Sequence, residues 1–84
     1  MKTLVVESED GLTVFLGKRV LLMCGNYFYV GDLVGVGETD AKLDNAAIVY
    51  ETGEWSAATY KDAQKLPSPW YVRLSFVESY GQGR

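Results

Sequence analysis

At 84 residues the chain has room for one domain, and a chain so short buries only about 60% of its unfolded surface, so its core is marginal and self-association is one route to more stability. Its composition, 48% hydrophobic and 23% charged, is that of a folded protein rather than a disordered one. A net charge of −3 opposes broad attraction to phosphate backbones, the one cysteine excludes an internal disulfide, and the absence of histidine removes the commonest metal ligand and general base together.

In chain order, Thr3–Glu7 reads as a strand and Ser8-Glu9-Asp10-Gly11 as a turn or frayed helical start; Gly11 and the β-branched Thr13-Val14 argue against a full helix. Arg19 to Cys24 is apolar on both faces, with Val20, Leu22 and Cys24 assigned to the core side. Gly25-Asn26 then predicts a hairpin turn, since both residues tolerate positive φ. A long strand, Tyr27 to Val36, follows. It must curve to stay on its own core, and Gly31 and Gly35 are where it can do so, with Tyr29 and Leu33 pointing inward.

Gly37-Glu38-Thr39-Asp40 predicts a second turn and Ala41 to Tyr50 a third strand. The segment 51–69 is the least regular. Thr52-Gly53-Glu54 reads as a hairpin tip, Trp55 to Tyr60 as a returning strand, and Lys61 to Lys65 as one or two helical turns ended by Pro67 and Pro69. Strands at Trp70 to Leu74 and Phe76 to Tyr80 complete the fold, and Gly81 to Arg84 is expected to be a disordered tail. No repeat is present, and the whole predicts one all-β domain over 1–84, a small strongly bent barrel of five or six antiparallel strands. No apolar run approaches the roughly 20 residues that cross a bilayer, and the first residues turn acidic before a signal-peptide core forms, so a cytoplasmic location is expected.

The run Gly17-Lys18, Val20-Leu21-Leu22, Gly25-Asn26, Tyr29-Val30-Gly31-Asp32-Leu33 and Gly35-Val36 resembles the first motif of the Sm-like (Lsm) family, and Leu43-Asp44-Asn45-Ala46 its usual close. Tyr71-Val72-Arg73-Leu74 followed by Val77-Glu78-Ser79-Tyr80 is similar to the second motif. The resemblance implies an Sm-like barrel, closed into a homo-oligomeric ring of about five to seven copies by pairing of edge strands. It places the subunit contact at Trp70, Tyr71, Val72, Phe76, Val77 and Tyr80. It implies binding of single-stranded RNA near Thr39, Asp40 and Arg73. Against that activity, Gly37 stands where the family has Asp, the Met-Asn pair falls near Asp40-Ala41, and Leu74 replaces the Gly after the arginine. A structural or protein-interaction ring without RNA recognition is therefore the alternative.

Arg73 has the flat fork of donors that suits a nucleobase or phosphate; the competing role is an ion pair with Asp40 or Asp44. Tyr27, Phe28, Tyr29, Trp55, Tyr60, Trp70, Tyr71 and Tyr80 include enough rings for a stacking platform, although core and interface filling account for most such residues in a small barrel. Lys18, Arg19, Lys61 and Lys65 read as a solvated surface, and Glu38, Asp40 and Asp44 as turn residues. No nucleophile and base can be paired from this inventory, so no enzyme, cofactor, metal site or membrane partner is expected. Cys24 reads as a small buried hydrophobe.

Overall fold

The computed structural model describes residues 11–84. The expected strand at Thr3–Glu7 and the residues Ser8-Glu9-Asp10 fall outside them. The chain begins with a 3₁₀ turn, Gly11–Phe15, and continues through β1 (Arg19–Cys24), β2 (Phe28–Val36), β3 (Asp40–Glu51), β4 (Asp62–Lys65), β5 (Trp70–Arg73), a second 3₁₀ turn (Leu74–Phe76) and β6 (Val77–Gln82).

All the pairings are antiparallel, in the order β4-β3-β2-β1-β6, with β5 on the same sheet beside β3. β3 is long enough to serve two partners, Asp40 to Leu43 pairing with β5 and Ala47 to Glu51 with β4. The link between β5 and β6 forces the curvature. β5 sits on β3 and β6 sits on β1, on opposite sides of β2, yet only the three residues Leu74–Phe76 join them. Three residues cannot bridge a flat three-stranded sheet, because a chain advances at most about 3.5 Å per residue. The sheet therefore rolls into a barrel-like, small all-β fold.

The local means of bending lie at the glycines of β2. A Cβ on Gly31 would meet Leu43 Cβ at 2.9 Å, Asp44 O at 3.1 Å and Ala46 Cα at 3.2 Å, so β3 crosses β2 where β2 has no side chain. The register slips there, with Val30 opposite Ala47 but Asp32 opposite Asp44, and Asn45 takes a left-handed conformation (φ 49°) in the bulge. A second slip falls between Leu33 and Gly35.

Inside the barrel Val20, Leu22, Cys24, Leu33, Ala41, Leu43, Ala46 and Val72 are buried with Leu12 of the first 3₁₀ turn, and Tyr29 packs against them. The parity assigned to β1 and β2 thus faces the core. The other face of β1 is buried as well: Leu21, only 3% exposed, meets Val30 and Val49, with Met23, Phe28, Ala47 and Tyr60 packed around them. Two-sided burial is why β1 is apolar on both faces.

Five expectations are corrected. The Gly25-Asn26 turn lies where it was placed, closed by Cys24 N donating to Tyr27 O at 3.1 Å, but neither residue has positive φ. Trp55 to Tyr60 is a looped turn rather than a strand, and the strand is Asp62–Lys65, where helical turns were expected. Every residue of β4 is exposed, so β3's edge imposes the extended form with no apolar alternation to announce it. The last strand begins at Val77 rather than Phe76 and runs on to Gln82. The segment Gly81 to Arg84 is accordingly not disordered. Gly83 N donates to Arg19 O at 3.0 Å, and Arg84 O accepts from Arg19 Nε at 2.8 Å. The Ser68–Pro69 peptide is cis.

Candidate functional site

The β1–β2 turn, the start of β2, β5 and the second 3₁₀ turn enclose a cleft of about 390 Å³. Its walls carry Tyr27, Tyr29, Trp70, Tyr71 and Phe76, with Asn26 and Arg73 as the polar groups and Cys24 beneath. The arrangement follows from alternation. Along β5, Val72 enters the core and Trp70 packs against it, so Tyr71 and Arg73 project the other way and are exposed. Tyr71 is 57% exposed and Phe76 66%, well beyond what core packing would leave uncovered.

Tyr27 is held edge-on to Tyr50, ring centroids 6.3 Å apart at 84°, and Tyr50 Oη in turn donates to Gln64 Oε1 at 3.3 Å. Burial raises the Tyr29 phenol above its ordinary pKa, with smaller contributions from Cys24, Tyr27 and Tyr50, so it stays a neutral donor. Burial also raises the Cys24 thiol, assisted by the Glu78 carboxylate. Such a thiol is a poor nucleophile.

Arg73 lies across from Asp40 in the β3–β5 ladder, but no ion pair joins them. The ion pairs among the described residues are Arg19–Asp32 at 3.3 Å and Lys61–Glu51 at 3.4 Å. Asp40 Oδ2 instead accepts from Thr39 Oγ1 at 2.9 Å. Thr39 and Asp40 line a separate depression with Lys42, and Tyr71 forms part of both walls. The three residues assigned to RNA therefore flank one ring from two sides rather than sharing a pocket.

The six residues assigned to a subunit contact divide. Val72 is buried, Trp70 and Val77 pack partly against the core, and Tyr71, Phe76 and Tyr80 are exposed. Tyr80 still meets Phe15 edge to face at 6.0 Å. Beyond their bonds to β3 and β1, the outer edges of β5 and β6 have no strand partner among the described residues. Phe76 and Asn26 were not among the residues expected to stack or read a base. Their only sequence signal was an aromatic after a short connection and an Asn in a turn.

Among the described residues no group of three His, Cys, Asp or Glu is placed to hold a metal ion, and no helix is long and apolar enough to cross a membrane. Comparison of the chain with protein-family models, curated proteins and solved structures finds no match.

Proposed function

We propose that this chain is a non-enzymatic, Sm-like binding module that takes unpaired bases of single-stranded RNA in the aromatic cleft, with Arg73 beside them. The observation that carries the reading is an exposed arginine without an ion-pair partner among the described residues, lining one concave site with exposed rings. Every base has a π-face, and stacking on an aromatic contributes about 1–3 kcal/mol per base. Asn26 and the Tyr29 hydroxyl add groups able to bond a base edge. Among the described residues Arg73 is the one cation lining the cleft. Stacking must then dominate, and the dependence of log K on log salt should be shallow, with a slope near −0.7 for one phosphate contact.

The test is fluorescence polarisation with short U-rich and A-rich RNA at low salt. Arg73→Ala and Tyr71→Ala should each weaken binding by about tenfold or more. No binding by the unaltered protein, or binding indifferent to both substitutions, would sink the reading.

A second reading is supported by the unpartnered outer edges of β5 and β6 and by the exposure of Tyr71, Phe76 and Tyr80. In it the same patch is covered by the next copy in a homo-oligomeric ring of about five to seven cytoplasmic subunits, as the Sm-like resemblance implies. Light scattering after gel filtration gives the mass, and the 260 to 280 nm absorbance ratio of the same peak reports bound RNA. A ring without RNA favours the second reading; a monomer removes it.

A further inference from the structure

A second arginine meets aromatic rings on the loop that follows β3. The Arg84 guanidinium lies 4.5 Å from the Tyr60 ring centroid and 5.2 Å from that of Trp55. Its Nη1 donates to Thr52 O at 2.8 Å and to Thr59 O at 3.1 Å, while Arg84 N donates to the Tyr60 hydroxyl at 3.0 Å. Two rings for the face of the cation and two carbonyls for its edge are what a guanidinium requires, and what an ammonium, lacking the planar fork, matches poorly.

We infer that the loop Thr52–Tyr60 is a binding site for the side chain of a Gly-Arg peptide segment, filled here in cis by Gly83-Arg84. The glycine is what lets the cis occupant reach the cage. A Cβ there would lie 2.6 Å from Val30 Cγ2 and 3.0 Å from the Val20 carbonyl carbon, so only glycine lets the segment lie against β1 and β2 while the next residue turns into the cage. Arg19 completes the site by holding both backbone ends, accepting from Gly83 N and donating to Arg84 O.

Two features make the site able to exchange its occupant. Trp55 is 62% exposed, so the cage is reached from solvent. Arg84 Nη2 is buried without an acceptor among the described residues, so the site holds its guanidinium less firmly than a fully bonded one would be held. An arginine from another molecule would meet the same partners, so the advantage of the intramolecular ligand is its effective concentration.

The experiment titrates the amide of the tetrapeptide Gly-Gln-Gly-Arg into the full chain carrying Arg84→Ala, following backbone amides and the Trp indole N–H by heteronuclear NMR. The expected result is saturable shifts at Trp55, Tyr60, Thr52 and Thr59, an apparent affinity for the unaltered protein at least tenfold weaker, and no comparable binding of Gly-Gln-Gly-Lys amide. Adding Trp55→Ala should abolish the shifts. If Arg84→Ala does not fold, Arg84→Lys, which keeps the stem and the backbone bonds, takes its place. The inference is overturned by a folded variant that does not bind at millimolar peptide, by equal binding to variant and unaltered protein, or by equal binding of the lysine peptide.

Discussion

Arginine and aromatic rings come together at two places in the molecule, stacked at one and only lining the same cleft at the other. In the clasp, Arg84 is held by Trp55, Tyr60 and two carbonyls, and the Tyr60 ring packs on the outer cluster of Leu21, Val30 and Val49. In the cleft, Arg73 has no ion pair among the described residues, and Tyr71 and Phe76 stand exposed. Identical side-chain chemistry thus contributes to stability in one place and is left available in the other. What decides between them is whether the chain supplies its own occupant.

The sharpest way to break that contrast is to remove one ring or cation from each site and compare stabilities. Tyr60→Ala strips a half-buried ring from the outer cluster, the cation's nearest face and the acceptor of Arg84 N; it should cost about 1–3 kcal/mol. That corresponds to a melting temperature lower by several degrees, at about 4–8 °C per kcal/mol for a domain of this size. Arg73→Ala should lie within about 0.5 kcal/mol of the unaltered protein. Equal losses by thermal denaturation would mean that the cleft, too, is structural.

Why one site was legible in the sequence and the other was not follows from the same contrast. β1, β2 and β3 announce themselves, because they are apolar-rich runs separated by glycine-containing turns and Gly31 stands where β3 packs closely on β2. Tyr27, Tyr29, Trp70, Tyr71 and Arg73 were candidates for recognition, and the fold brings them together, since the short β5–β6 link returns β5 beside the β1–β2 turn. The clasp left only indirect marks. Leu21 broke the parity of β1, which signals a second buried face, but nothing local says that residues 52–60 and 82–84 cover it. Gly81 to Arg84, polar and glycine-rich, has a disordered composition and is ordered by contacts 24 to 65 residues away. Such contacts are tertiary, and periodicity does not report them.

A smaller effect separates the sites by reactivity. Cys24 lines the cleft, and both its burial and the Glu78 carboxylate favour the thiol over the thiolate. Alkylation by iodoacetamide at pH 8 should be slower than in the unfolded chain by about tenfold or more. An RNA ligand in the cleft should slow it further, whereas the Gly-Gln-Gly-Arg peptide should leave it unchanged. Protection by the peptide would show that the two sites are coupled.

The smallest expected effect is a response to acid confined to the clasp. Asp32 Oδ2 accepts from Asn45 Nδ2 at 3.0 Å and its Oδ1 from Arg19 Nη1 at 3.3 Å, and Arg19 also holds Asn45 O and Arg84 O. The bond from Asn45 is the largest cause and lowers the Asp32 pKa; burial opposes it, and the bond and charge of Arg19 add smaller lowering effects, so the net shift is downward. A carboxylate whose folded pKa is depressed contributes stability that is present above its unfolded pKa, near 4, and is lost as pH falls through the folded value. The Asp32 and Arg19 side chains are 40% and 31% exposed, so solvent screening keeps the contribution below about 1 kcal/mol. Asp32→Asn keeps an oxygen for Arg19 while removing the titration. Urea midpoints measured from pH 6 down to about pH 3 should therefore start lower for the variant and fall less steeply than for the unaltered protein, the gap between them closing only below about pH 4. Peptide affinity measured in the Arg84→Ala background should decline over the same interval, because neutral Asp32 no longer steadies the Arg19 that anchors the clasp, while RNA affinity of the cleft should not follow it. Parallel urea profiles for the two proteins would remove Asp32 as the source of the acid response.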